Sequence, residues 1–250
     1  MRGSGMDALS TALDLGEQML ICGAEVRRVE DTVGRIGRAY GAKRADVFSV
    51  TSSIVATLDM GGGALFTQTR RIHDQKIDLS RLDRLNALSR EICLNRPERG
   101  EVCAALERMR ELPGYDPAQQ CLIYALISGA FSLFFGGGAM DALLSAVIGA
   151  GLRVVVGAAE GMRLNRILAG SLGAFAGGAL AMLAVRLGLQ VSFDKVAIGN
   201  IMLLTPGLTL TNALTDMLSG DTLAGLIRLI EAMVTAVAIA LGFALAGGLL

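Results

Sequence analysis

Apolar positions fall at helical spacing in the first part of the chain. Positions 9, 12, 13, 16, 19 and 20 form one stripe over residues 6–21, and Cys22 and Gly23 break it. Val26, Val29, Val33, Ile36 and Tyr40 form a second stripe, closed by Gly41 as a helix C-terminus commonly is. The pattern then changes. Residues 44–50, 53–60 and 64–72 are rich in Val, Ile, Phe and Thr, and Gly61 to Gly63 join the last two runs as a hairpin. A helix over 79–95 turns Leu82, Leu85, Leu88 and Ile92 inward, with Ser80 and Asp83 at capping-box spacing. Another over 98–111 uses Val102, Leu106 and Met109. Residues 6–112 are therefore expected to fold as an α+β domain. Residues 1–5 read as an expression lead-in before Met6, and Pro113, Gly114 and Pro117 make a hinge over 113–118.

From residue 119 the amphipathic pattern disappears. Residues 117–140, 167–185, 196–215 and 232–250 carry no charge, giving windows of 24, 19, 20 and 19 residues. A bilayer core of about 30 Å takes roughly 20 apolar helical residues. A further window at 139–159 is interrupted by Asp141 near one end and by Arg153, which can snorkel or face the protein interior. Five spans are predicted, near 119–136, 139–159, 165–186, 195–218 and 224–248. A soluble bundle is the alternative, but it would lack the polar surface to cover so much apolar helix. The fold class expected is an α-helical polytopic membrane protein with an N-terminal α+β cytoplasmic domain. Arg153, Arg163 and Arg166 sit around one loop, against Arg186 and Lys195 on the other side. This modest bias places the N-terminus inside and the C-terminus outside.

Charge follows the same division. Residues 1–119 hold 34 of the 46 charged side chains, 17 of each sign, which argues against a nucleic-acid groove. Four cysteines without a CxxC pair and a single histidine, His73, argue against a zinc site, and no metal or other cofactor is expected. Gly61 to Gly63 lack phosphate-loop spacing. His73 beside Asp74 is the one histidine-bearing acid–base pair, and it lacks the context of a nucleophile. It keeps one alternative open: a membrane-anchored enzyme whose soluble domain acts on a small molecule through residues such as Glu30 or His73.

Three features of the apolar half and its neighbours carry candidate chemistry. Gly173/Gly177 and Gly170/Ala174/Gly178 repeat at four-residue spacing, which lets helix backbones approach closely in lipid. Pro206 and Gly207 interrupt the fourth span, with Asn200, Thr205, Thr209 and Asn212 around the break as uncharged groups suited to a carboxylate substrate. The plainer reading is a proline kink whose threonines bond to their own backbone. Asp216, ten residues past Pro206, is a candidate carrier of a coupling proton; the alternative is that it caps a helix or pairs with Arg228. Glu25, Arg28 and Glu30, within the charged run 25–31, are candidates for a contact with the membrane half or for a solvated face.

The combination of these runs resembles one family. Gly16 and Glu17, the run GAEVRRVED over 23–31, Gly41, TRRI over 69–72 and LDRLNALSR over 82–90 are similar to the N-terminal domain of the threonine/serine exporter family. TPGL over 205–208, Asn212, Asp216, Gly220 and Asp221 resemble its membrane segments. The likeness runs over nearly the whole chain from Met6. It implies a cytoplasmic domain joined to helices that export small carboxylate metabolites. Full-length members resemble two fused membrane halves, so this chain looks like the large subunit of the split form, completed by a small membrane protein or by homo-oligomerisation. The split form is associated with succinate-like dicarboxylates, the fused form with threonine and serine. With no nucleotide motif, coupling to protons or ions is expected.

Overall fold

A computed structural model describes residues 2–73, 75–111, 114–162 and 164–249. Asp74, Pro113 and Arg163, on which parts of the acid–base pair, the hinge and the charge-bias reading rest, lie outside the described residues. The chain divides into two compact units. One comprises Met1–Pro113 with Leu208–Leu229; the other comprises Gly114–Gly207 with Ile230–Leu250. The contacts thus group residues 208–229 with the N-terminal residues, whereas the sequence reading drew a single boundary near 113–118.

The first unit starts with α1 (Arg2–Ile21) and α2 (Val26–Ala39). α1 begins before Met6, so residues 2–5 of the lead-in are helical, and Gly5 packs against the Phe66 ring. Strands β1 (Arg44–Val50), β2 (Ser53–Asp59) and β3 (Leu65–Arg71) form an antiparallel meander in the order β1-β2-β3. Phe48 pairs with Val55, and Val55 with Thr69. Gly61, Gly62 and Gly63 all have positive φ, of 82°, 62° and 81°, a backbone that side chains other than glycine's disfavour. This turn lets the Met60 N–H reach the Ala64 carbonyl. Alternation along β2 sends Ile54, Ala56 and Leu58 to the core, where they meet Leu9 and Leu13 of α1 and Val29, Val33 and Ile36 of α2.

Helices α3 (Leu79–Asn95) and α4 (Arg99–Arg110) close this core with Leu85, Ile92, Val102 and Leu106. The cap of α3 differs from the expectation. Asp78, not Ser80, is the N-cap, and its carboxylate accepts from the Arg81 N–H at 2.9 Å. Ser80 already lies inside the first turn, so its spacing to Asp83 caps nothing. Asp14 of α1 pairs with Arg70 of β3 at 2.8 Å, and Arg99 of α4 reaches the same carboxylate at 3.4 Å.

The second unit contains α5 (Pro117–Phe134), α6 (Ala139–Gly161), α7 (Arg166–Arg186), α8 (Phe193–Leu204) and the later part of α10 (Thr222–Leu249). Pro117 opens α5, where its missing N–H costs nothing. Among the described residues, four helices are long and apolar enough to cross a membrane. α8 and α9 (Gly207–Leu218), bent by 55° at their break, make a fifth if counted as one span. These match the predicted spans closely. Arg153 is half-buried, and its Nε donates to Gln120 in the first turn of α5 at 2.5 Å. Asp141 caps α6 by accepting from the Gly138 N–H at 2.8 Å and holds the approach to α8 through the Ser192 N–H at 2.7 Å.

The small-residue face of α7 is buried through Ala169, Gly173, Ala174, Gly177, Gly178 and Ala181. A Cβ on Gly178 would stand 2.9 Å from both Phe243 and Ala246 of α10. Gly178→Val should therefore destabilise the second unit by about 1–3 kcal/mol through overpacking. Gly151→Ala, where a Cβ would meet nothing within 4 Å, should be neutral or mildly stabilising. Thermal unfolding of the two variants in detergent checks the contrast.

Candidate functional site

The predicted site residues separate into two groups, each within one unit. In the first unit α9 is followed by a short turn and α10, and three of its polar side chains meet the turn between α1 and α2. Asp216 accepts from the Val26 N–H at 3.1 Å, at the first residue of α2. Asn212 donates to the Gly23 carbonyl at 3.0 Å, and Arg228 of α10 donates to the Ala24 carbonyl at 2.5 Å. Arg228 also pairs with Asp216, Nη1 to Oδ2, at 3.3 Å; the two side chains are 4% and 0% exposed. Oδ2 of Asp216 has no hydrogen-bond partner among the described residues. Asp216 therefore both caps a helix and pairs with Arg228, as the plainer sequence reading had it. The chain positions it through Ala213 and Ala224, which pack inward from α9 and α10.

The charged run beside this contact is arranged differently from the candidate list. The backbone of residues 23–26 makes the hydrogen bonds, not the Arg28 guanidinium, which is exposed. Glu25 is half-buried at the N-cap of α2, and both it and Asp221 act electrostatically on Asp216. Glu30 turns toward β1, where its Oε1 accepts from the Ser49 N–H at 2.6 Å and from the Ser49 hydroxyl at 3.2 Å. Burial pushes the Glu30 carboxyl above the usual carboxylate range, outweighing those two bonds. His73 is exposed on its loop. Among the described residues no group of acids, cysteines and histidine is placed to hold a metal ion.

Asn200 lies in the second unit. It is fully buried in α8, where its Oδ1 accepts from Ser128 of α5 at 2.7 Å. Its Nδ2 donates to the Val196 carbonyl at 2.8 Å and to Ser145 of α6 at 3.3 Å. The two serine hydroxyls are 2.9 Å apart. Gly199 makes this junction possible: a Cβ there would stand 2.5 Å from Ser145 Oγ and 2.6 Å from the Ser128 carbonyl. Asn200 thus joins three helices, and the structure does not place it with Asn212 and Asp216 in one unit. Ser128 and Ser145 were missed in the sequence; hydroxyls inside uncharged windows, which must find partners in lipid, were the available signal.

The break itself is local. Pro206 and Gly207 follow the end of α8, and the Gly207 N–H donates to the Thr205 carbonyl at 2.8 Å. Thr205 and Thr215 bond back to Ile201 and Thr211 carbonyls at 2.9 and 3.1 Å. Thr205 is exposed, and Thr209 is half-buried on the first turns of α9.

Two outcomes follow. Asn200→Ala removes the acceptor of the Ser128 hydroxyl and a donor to Ser145, leaving the two serines bonded to each other, and should cost about 1–2 kcal/mol. A double-mutant cycle with Ser128→Ala, read by unfolding in detergent, should show the two losses to be non-additive. Glu30 holds its proton to higher pH when folded than when unfolded, so its contribution falls as pH rises from the ordinary carboxylate range through the raised value. Glu30→Gln should flatten that part of the stability–pH profile.

No curated protein and no solved structure matches the chain. A family model described as "Putative threonine/serine exporter" (ThrE) matches residues 10–250. With that match covering nearly all of its length, and with helices long and apolar enough for four to five membrane spans, the chain belongs to the ThrE threonine/serine exporter family.

Proposed function

We propose that the chain is a subunit of a secondary exporter in the cell inner membrane, moving small carboxylate metabolites out of the cytoplasm. Residues 6–112 form its cytoplasmic α+β domain, and the remaining helices, with the N-terminus inside, form the transport part. The observation that carries this reading is a broken apolar span in an exporter family, with Asn212 and the buried Asp216 just beyond the break. Broken helices at membrane depth are a recurrent way of holding substrates and ions. The family description favours threonine and serine; dicarboxylates such as succinate are the other class to test.

Asp216 carries the coupling proton. The charged groups acting on it are Arg228 of α10, Glu25 at the start of α2 and Asp221 before α10. Thr209 offers an uncharged hydroxyl to the substrate beside Asp216, Asn212 holds the Gly23 carbonyl, and Pro206 and Gly207 keep the apolar segment broken ahead of them. A small membrane partner or a second copy of the chain supplies further helices around the path.

Reconstitution in proteoliposomes tests the reading. The chain with its partner should export L-threonine, L-serine or succinate down an imposed proton gradient, and the chain as a demonstrated monomer should not. Asn212→Ala and Asp216→Asn should each lower export at least tenfold with membrane levels intact, and Asp216→Asn should remove its dependence on the gradient. Pro206→Ala should straighten the span and reduce export. Wild-type rates in folded variants would overturn the site; absence of export of any of the three compounds by the partnered chain would overturn the function.

A further inference from the structure

The contact between α9, α10 and the α1–α2 turn has the composition of a carboxylate receptor. Arg228 presents a guanidinium that is almost wholly buried, and the first turn of α2, a helix of 14 residues, presents the Val26 N–H. An arginine together with a helix N-terminus is a strong combination for an anion in a site that excludes water. The group now in that receptor is the chain's own: the Asp216 carboxylate. It fills the site incompletely. Oδ1 takes the Val26 N–H, but Oδ2 stands 3.3 Å from Arg228 Nη1 and accepts no hydrogen bond from the described residues, although the side chain is fully buried. A buried carboxylate oxygen left in that condition is costly, and a free carboxylate not tethered to α9 could take both donors with better geometry.

The surroundings narrow the class of ligand. Among the described residues two more acidic ones adjoin this point: Glu25, next to Val26 in the chain, and Asp221, whose N–H donates to the Asp216 carbonyl at 2.9 Å. One guanidinium faced by two remaining carboxylates disfavours a dianion. It suits a ligand carrying a carboxylate and an ammonium together.

We propose that Arg228 and the Val26 N–H bind the carboxylate of a zwitterionic α-amino acid, that Asp216 is a resident stand-in which this carboxylate displaces, and that Glu25 and Asp221 receive the ammonium. The proposal rests on the exporter reading and deepens it by assigning Arg228 and the α1–α2 turn to the substrate. Asn212 is a positioning residue: by holding the Gly23 carbonyl it sets the turn that aims the Val26 N–H. Displacement couples binding to the proton without any covalent step. Asp216 leaves as the neutral acid after taking one proton, and returns as the carboxylate when the substrate departs.

The test uses the purified full chain in detergent, with L-threonine, L-threonine methyl ester and succinate as probes in calorimetric titrations. Asp216→Asn removes the competing carboxylate and should bind L-threonine at least tenfold more tightly than wild type, even though it exports poorly. Adding Arg228→Gln should abolish binding. The methyl ester should not bind, and succinate should bind at least tenfold more weakly than L-threonine. Glu25→Gln with Asp221→Asn should narrow that last gap. Folding of each variant is checked by size exclusion and circular dichroism.

A measurement on the wild type decides the matter should the variants not fold. Asp216 should be inert to carbodiimide coupling in the empty protein and become labelled when L-threonine saturates the site, as read by mass spectrometry of the peptide containing it. Unchanged labelling overturns the proposal, as does equal or weaker binding by folded Asp216→Asn, or binding that survives the loss of Arg228. Neither measurement needs transport. Export in proteoliposomes without a labelling change therefore overturns the resident-carboxylate assignment and leaves the exporter reading standing.

Discussion

Arg228 and Asp216 have given up nearly all contact with water, and two ions in that condition must find their replacement for hydration inside the chain. Mutual attraction alone does not supply it; buried pairs need further hydrogen bonds to offset desolvation. The carbonyl of Ala24 and the N–H of Val26 provide them, because the turn between α1 and α2 leaves these backbone groups unclaimed by a helix. This requirement binds residues 208–229 to the N-terminal residues in one compact unit, and it explains why a segment of apolar composition does not group with the other apolar helices. Removing one member of such a pair typically costs about 3–5 kcal/mol, so the ions that make the contact also make it discrete: it is formed or it is broken.

The second unit meets a similar demand without charges. Ser128, Ser145 and Asn200 satisfy one another where α5, α6 and α8 approach, and Gly199 supplies the space. Each such bond between membrane helices contributes about 0.6 kcal/mol on average, up to about 2. The junction therefore fixes which faces of the helices meet more than it fixes their stability. A polar residue in an apolar span is often read as a substrate contact; here Asn200 is consumed by its neighbours.

Most of the secondary structure was legible in the sequence because periodicity and punctuation agreed. The stripe from Val26 to Ile36, the glycine turn at 61–63 and the uncharged windows each carry a signal in residue type. The cap of α3 was misread because two overlapping patterns competed: Ser80 and Asp83 had the spacing, but the helix starts at Leu79 and the cap falls on Asp78. The candidate site was legible only in part. Asp216 and Asn212 stood out as polar groups near a proline break. Their partners did not, since carbonyls and an N–H at 23, 24 and 26 leave no mark in the sequence and lie about 190 to 200 residues away. Arg228 was named as the pairing alternative for Asp216, but its bond to the Ala24 carbonyl had no signal in the sequence.

The glycine and alanine face of α7 has a consequence for how the two units respond to temperature. Helices that pack by close approach in lipid bury surface that was never exposed to water, so their association involves dispersion and carries little heat-capacity change. The core around Leu9, Ile36, Ile54 and Leu85 draws on the hydrophobic effect, whose strength fades on cooling. The one chain thus holds two stability curves of different curvature. The N-terminal core weakens toward low temperature, while the packing of Gly178 against Phe243 and Ala246 is nearly indifferent to it.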